Sequence, residues 1–388
     1  MILMVADSIK EIKYLKVKKV EGQKALNLIK INFEKYSVIN QKYKILYHDE
    51  FILFPLEEKK DLIEKVIESI GNKIQIEIIT DFGIIDENYK FKSLQDALQG
   101  NIPKDYQELI PKSYDLIGNI AIIEFDKFGR IDNKELSNYK KKIAKAITIV
   151  NKKITSVYEK KSEIMGTYRL RDLALLFGEN ISETIYKENN CTFKLDVKKT
   201  YFTPRLVYER RRVASSEIRE NELIIDLFAG VGPFSIQIAK NHDVRIYAFD
   251  VNPDAYKYLK ENINSNKLRG KVIPYNLNVR DLLKPSDKLG KLLQGKADRI
   301  IMNLPERSIE FIDVACFLMK KSGGILHFYH FSDKPDPIER TIELLDKKLS
   351  DFNWLIEKII NSKIVKSYSP KATLVGLDLY IKDLNKIS

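Results

Sequence analysis

An apolar run, Ile224-Ile-Asp-Leu-Phe-Ala-Gly-Val-Gly-Pro-Phe234, ends in a Phe-x-Gly-x-Gly turn. Twenty positions after Gly230 a second run, Val244-Arg-Ile-Tyr-Ala-Phe-Asp250, closes on a carboxylate. A strand, a glycine turn, a helix and a strand with a terminal acid suit an adenosine-containing cofactor. Gly230 and Gly232 let the backbone approach the ligand, and Asp250 can accept hydrogen bonds from ribose hydroxyls. The Gly-x-Gly turn alone would also fit a nicotinamide dinucleotide. Two details favour S-adenosyl-L-methionine: Ser235 stands where the dinucleotide fingerprint has its third glycine, and Pro233 crowds the place of a pyrophosphate. Downstream, Asp298-Arg-Ile-Ile-Met-Asn-Leu-Pro305 delivers Asn303-Leu-Pro305 at the carboxyl end of a strand. Methyltransferases acting on nitrogen present substrate-facing residues at such a strand end, so the expected chemistry is methyl transfer.

The elements that must hold these residues follow from periodicity. From about Lys198 the pattern alternates strands at 223–227, 244–249, 271–275, 298–302 and 324–329 with helices at 234–241, 253–264, 308–321 and 337–348. This predicts an α/β domain with a mostly parallel sheet covered on both faces. Two smaller α+β units precede it. The first shows a strand at 12–17, a helix at 22–32, strands at 43–48 and 51–55, a helix at 61–70 and a strand at 74–79. A turn-rich loop leads to the second, with one strand expected over 117–125, a long basic helix over 133–151, and strands near 154–158 and 192–197. The expected partition is 1–92, 93–190 and 191–388.

With 388 residues and 44% hydrophobic content, the chain can build two or three cores. It has no run of 18 apolar residues and no secretory leader, so a cytoplasmic protein away from membranes is expected. Cys191, Cys316 and four scattered histidines give no metal-ligand spacing, and two buried thiols in a reducing compartment are the simpler reading. Net charge is +12 and the pI near 9.2. From Lys134 to Asp172, eleven Lys and Arg, including Lys140, Lys141 and Lys142, stand against four acids. A solvated helix face would look similar; just upstream of a catalytic domain, the run points to nucleic acid.

Several strings carry a resemblance. They are Tyr168-Arg-Leu-Arg-Asp-Leu, Gly178-Glu-Asn, Tyr201-Phe-Thr-Pro-Arg-Leu-Val-Tyr-Glu-Arg210, Phe228-Ala-Gly-Val-Gly-Pro-Phe-Ser, Asp250-Val-Asn-Pro, Asn303-Leu-Pro, Phe311-Ile-Asp and Ile364-Val-Lys-Ser-Tyr-Ser-Pro. In this order they resemble the archaeal and eukaryotic tRNA guanine-37 N1-methyltransferases of the Trm-five type, from about Pro111 onward. The resemblance implies a class I, Rossmann-like methyltransferase domain, with a first domain on the outer corner of tRNA. The other two domains would clamp the anticodon stem-loop around a flipped guanine. It implies a monomer using S-adenosyl-L-methionine and no metal.

Guanine N1 is protonated at neutral pH, so a base must remove that proton while charge develops on O6. The resemblance gives the base to Glu209, which is otherwise a surface glutamate balancing Arg210, Arg211 and Arg212. It gives the O6 contact to Arg169, otherwise a phosphate contact or a partner of Asp172. Asn303 would fix the base edge and touch the cofactor, or merely cap a turn. Pro305 would stiffen that turn, and Tyr201 would support the base pocket. Arg205 and Arg210 would lie near the cofactor carboxylate or order the substrate loop. Phe228, Gly230 and Gly232 would line the cofactor turn, Asp250 hold the ribose and Val251 pack on adenine. Two departures stand out. Asn278-Val279-Arg280-Asp281 replaces the usual Asp-Val-Arg, leaving an asparagine carbonyl to accept from the adenine amino group, and Glu306 stands where a basic residue is common. The rival readings are a wyosine-pathway relative (an aminocarboxypropyl transferase, or a methyltransferase also acting on the tricyclic base) and a non-catalytic tRNA binder.

Overall fold

The computed structural model describes residues 10–33, 38–98, 102–107, 110–125, 134–367 and 371–386. It divides into two compact units: residues up to Ile110 with Arg130–Lys152, and Pro111–Gly129 with Lys153–Ser388.

In the first unit, β1 (Glu11–Lys18), β2 (Leu46–His48), β3 (Phe51–Pro55) and β4 (Ile76–Phe82) form an antiparallel sheet in the order β2-β3-β1-β4. Helices α1 (Gly22–Asn32) and α2 (Lys60–Gly71) each bury one apolar stripe. In α2 it is Ile63, Val66 and Ile70, three and four residues apart. Short helices α3 (Leu94–Leu98) and α4 (Lys104–Gln107) follow, and α5 (Lys134–Val150) packs beside α3. Helix α5 buries Leu136, Ile143, Ala144 and Ile147 while Lys141 and Lys142 stay exposed.

The second unit opens with β5 (Asp115–Ile117), β6 (Ile120–Ile123), β7 (Ser156–Lys160) and β8 (Leu173–Gly178), a sheet in that order. The single strand expected over 117–125 is therefore a hairpin. Gly118 and Asn119 break the run: Gly118 has φ +59°, and a Cβ there would stand 2.1 Å from Thr184 Oγ1. A two-stranded ribbon, β9 (Glu183–Glu188) and β10 (Cys191–Asp196), leads to helix α6 (Val207–Ala214).

The main sheet has seven strands: β11 (Leu223–Asp226), β12 (Arg245–Asp250), β13 (Lys271–Asn276), β14 (Arg299–Met302), β15 (Gly324–Asp333), β16 (Trp354–Ser367) and β17 (Ala372–Asp383). Their order is β13-β12-β11-β14-β15-β17-β16. The first five are mutually parallel, β17 runs antiparallel to β15, and β16 runs antiparallel to β17 and so in the sense of the five. Helices α7 (Pro233–Asn241), α8 (Pro253–Ser265), α9 (Lys288–Leu293), α10 (Ile312–Leu318) and α11 (Pro337–Ser350) connect them. Ile224 and Ile225 illustrate the layering: successive side chains enter the cores on opposite faces. Strand order reverses between β11 and β14, which opens a crevice beyond their carboxyl ends. Asp226, Asp250 and Asn303 stand at that end of the sheet. Among the described residues, no helix is long and apolar enough to cross a membrane. Cys191 and Cys316 are buried and unpaired to each other.

Candidate active site

The glycine turn after β11 is closed by its own acid. Asp250 Oδ2 accepts from Gly230 N at 2.7 Å, and Oδ1 accepts from Asn252 N at 2.8 Å. Burial pushes the Asp250 carboxyl up, against the pull of these two backbone donors. Gly230 (φ +56°) and Gly232 (φ +91°) need the left-handed region. Around Gly230 the space is open, with only Tyr201 O at 3.9 Å from where a Cβ would be. Asn252 Nδ2 donates to Lys199 O at 2.8 Å, so the loop carrying Tyr201 is tied to the turn of Asp250. Phe228 stacks edge-on against Phe311 at 5.1 Å, and Val251 is half-buried.

Beneath this turn lies an acid that the sequence motifs did not single out. Asp226 is 1% exposed, with Oδ2 accepting from Ser235 Oγ at 2.7 Å and Oδ1 without a partner. Burial first, and Asp250 to a lesser degree, lift its carboxyl to about 7, against the pull of Ser235 and the Phe228 backbone. The folded protein thus holds this proton more tightly than the unfolded chain, whose aspartate titrates near 3.8. Its contribution favours folding below about pH 4 and is lost as pH rises through about 7, roughly 3–4 kcal/mol in all. Cofactor-free Asp226→Asn should therefore gain melting temperature relative to the parent steadily from pH 5 to pH 8. A difference that does not change with pH would contradict this.

Arg169 and Asn303 are partly sealed yet incompletely partnered. Arg169 is 8% exposed and adopts φ +57°, a backbone state that non-glycine residues occupy at a cost of about 1–3 kcal/mol. Its guanidinium lies over the Tyr201 ring at 4.6 Å and donates from Nη2 to Glu306 Oε1 at 3.1 Å, while Nε has no partner. Asn303 Oδ1 is likewise buried without a partner. The loop Asn303-Leu-Pro305-Glu306 is pinned by Ser308, whose Oγ accepts from Leu304 N at 3.1 Å and donates to Met302 O at 3.2 Å. Pro305 O accepts from Phe331 N at 3.1 Å.

Glu209 is not on the surface. Its side chain is 1% exposed and sits in a cluster of donors. Oε1 accepts from Arg212 Nη2 at 2.6 Å and Tyr329 Oη at 2.9 Å, and Oε2 faces Lys363 Nζ at 2.5 Å. Burial alone would raise its carboxyl, but Arg212 and Lys363 outweigh it and hold the group below the usual glutamate value. It is an anion at neutral pH. Arg212 also bonds Asp378, which accepts from His327 Nδ1 at 2.6 Å. His327 and Asp378 are register partners on β15 and β17, which explains their meeting. Burial lowers the His327 pKa, so the ring is neutral; Arg299 Nη1 can only donate, making Nε2 (2.8 Å away) the acceptor and Nδ1 the donor.

Three residues expected at the cofactor also have partners within the protein. Arg210 is 2% exposed and gives donors to both oxygens of Glu188, at 2.5 and 2.6 Å, and to Thr203 O, which ties down the segment before α6. Four of its five N–H donors are used in this way. Arg205 Nε donates to Asp115 Oδ1 of β5 at 2.7 Å. It stands near Lys366, whose ammonium is lowered by burial first, then by Arg205, Arg169 and Lys160, with Asp115 opposing. Asn278 is exposed and its carbonyl accepts from Arg280 N at 3.1 Å, capping a 3-10 turn over Val279–Leu283, with Val279 buried. Lys140, Lys141 and Lys142 lie on α5, in the other unit, with Lys142 Nζ over the Tyr139 ring at 5.8 Å. Tyr368-Ser-Pro370 of the last matching string falls outside the described residues.

A family model described as the TRM5/TYW2 methyltransferase domain matches residues 184–356, and one for the TYW2 N-terminal domain matches 94–181. The tRNA (guanine(37)-N(1))-methyltransferase Trm5b of Pyrococcus abyssi is 40% identical, covering 72% of this chain and 78% of that protein. The Trm5b enzyme of Methanocaldococcus jannaschii is 32% identical over 95% of this chain and 98% of its own length. The chain belongs to the TRM5/TYW2 methyltransferase family. The solved complex of aTrm5 with tRNALeu matches with TM-score 0.67 and 31% identity, covering 95% of this chain and 99% of that one. Membership in the TRM5/TYW2 family makes the chain a methyltransferase-type enzyme.

Proposed function

We propose that the chain is a tRNA (guanine-37 N1)-methyltransferase with a class I methyltransferase fold, using S-adenosyl-L-methionine. One observation carries the reading. A buried arginine with a spare donor, Arg169, stacks on Tyr201, whose backbone adjoins Gly230 of the cofactor turn. Base-reading and cofactor-holding groups are thus neighbours. The full-length relatives named for guanine-37 methylation, and the relative solved with tRNA, support the substrate. The partition at 92/93 and 190/191 belongs to the proposal; the family matches to 94–181 and 184–356 support a boundary near each, whereas the compact units group residues up to Ile110 with Arg130–Lys152.

The residues fit the cofactor: an open glycine turn, an acid at the end of β12 and an unpartnered buried carbonyl at Asn303. Gly230, Gly232, Asp250, Val251, Phe228, Val279 and Asn303 would hold it, with Asn278 reaching the adenine only through its second lone pair. Bound S-adenosyl-L-methionine supplies an electrophilic methyl carbon and a neutral thioether leaving group. The protein removes the N1 proton at Glu209, opposes charge on O6 with Arg169, and fixes the base edge through Asn303 and Pro305. As the bond from N1 to the methyl carbon forms, the N1 proton becomes strongly acidic and leaves in step with the transfer. The carboxylate therefore needs only to be ionised and in reach, and the low pKa of Glu209 is no obstacle. Entry of the base displaces Lys363, the more exposed partner at 34%.

Incubating the enzyme with unmodified tRNA transcript and labelled cofactor should yield labelled N1-methylguanosine at position 37 by nucleoside mass analysis. A labelled aminocarboxypropyl product would instead support the wyosine-pathway reading suggested by the family's TYW2 branch, and absence of cofactor uptake would support a non-catalytic binder. An ionised, buried Glu209 beside Tyr329 favours methylation, because aminocarboxypropyl transfer needs no base there. Reversing the charges of Lys140, Lys141 and Lys142 should weaken tRNA binding and flatten its salt dependence by up to about three phosphate contacts. An unchanged salt slope would make α5 only a solvated face.

A further inference from the structure

The Arg169–Glu306 pair is a hydrogen-bond donor beside an acceptor at the mouth of the candidate base site. Arg169 is buried against Tyr201, while Glu306 is 39% exposed in its side chain and stands on the loop that carries Asn303. Its Oε1 receives Arg169 Nη2 at 3.1 Å, so the carboxylate keeps further lone pairs toward solvent. The Ser308 and Phe331 bonds described above hold the backbone on either side of it, so Glu306 is presented from a fixed turn. A free guanidinium here would attract any anion or carbonyl, and a carboxylate beside it changes which ring can enter.

We infer that Glu306 accepts a hydrogen bond from the exocyclic N2 amino group of the target guanine and so sets the enzyme's choice among purines. This rests on the reading of Arg169 as the O6 partner. Guanine presents an acceptor at O6 and a donor at N2, complementary to an arginine and a carboxylate once the two part around N1. Adenine offers a donor where Arg169 also donates, and nothing at position 2. Hypoxanthine keeps O6 but lacks the amino group, leaving the carboxylate without its partner. A charged acceptor left unmatched in a partly closed site costs more than a neutral one. The acidic residue at this position thus becomes a discriminator that a basic residue could not be.

The test compares tRNA transcripts carrying guanosine or inosine at position 37, by single-turnover kcat/KM for the parent, Glu306→Ala and Glu306→Gln. The parent should prefer guanosine roughly ten- to a hundredfold. Glu306→Ala should bring the ratio to within about threefold, and Glu306→Gln, which retains an acceptor oxygen, should recover part of it. A guanosine-to-inosine ratio unchanged in Glu306→Ala would overturn the proposal. So would an equal gain on both substrates, which would make Glu306 only a latch on Arg169. Formation of N1-methylguanosine by the parent enzyme supports the proposed function whatever the ratio does, so the two readings fail separately.

Discussion

Glu209→Gln should lower single-turnover methylation by about 10²–10⁴-fold, the usual worth of a positioned proton acceptor, with cofactor and tRNA affinities within a few-fold of the parent. Glutamine retains the volume and an acceptor for Tyr329 and Arg212, but cannot take a proton. Glu209→Ala should be as inactive, yet it also removes a buried partner of Arg212 and Lys363. Truncating one member of a buried ion pair costs about 3–5 kcal/mol in general; here Asp378 still engages Arg212 and softens that loss. The glutamine variant is therefore the cleaner probe. Because Arg212 and Lys363 hold the Glu209 carboxyl low, its protonation should not slow the parent enzyme anywhere between pH 8 and pH 6. Turnover at the parent rate in Glu209→Gln would remove the residue from the mechanism.

Arg169→Ala should reduce methylation by about 10²–10³-fold, the cost of losing one fixed donor at a developing oxyanion. Arg169→Lys should recover little. A lysine cannot lie flat on Tyr201 or present a planar fork to O6. The left-handed backbone at this position points the same way: strain is retained where the surrounding turn over-determines it, here with Arg169 N donating to Gly166 O and Leu170 N to Met165 O. Cofactor affinity should be nearly unchanged in both variants, as measured by titration. A parallel loss of cofactor binding would mean that Arg169 supports the pocket and does not touch the reacting base.

The parallel half of the sheet is legible because buried strands read as apolar runs and all of them but β13 are followed by a helical pattern. The antiparallel pair β16 and β17 was not anticipated. β16 is an edge strand with much of its length exposed, and its sequence mixes charged and apolar residues without strict alternation. The glycine turn, Asp250 and Asn303 came from local spacing alone, since one turn or strand end positions each. The partners of Glu209 could not be found that way. Tyr329 and Lys363, and the Asp378 that shares Arg212 with Glu209, arrive from three strands far along the chain and meet α6 only through these side chains. The sequence offers Arg212 as a charge for Glu209 to balance, but not the burial of Glu209 within that pair. Arg205, Arg210 and Asn278 match the cofactor by type, and the sequence alone does not show that each also has a partner in the protein, at Asp115, Glu188 and a local cap. Motif identity predicted that these residues matter without predicting what they touch.

The most direct measurement is a crystal structure of the enzyme with unmodified tRNA and the demethylated cofactor product. The account predicts an extruded guanine with N1 about 2.6–3.2 Å from a Glu209 oxygen and Lys363 displaced from that oxygen. A guanine bound at Arg169 while Glu209 stays closed between Arg212, Tyr329 and Lys363, with no purine edge in reach, would contradict it.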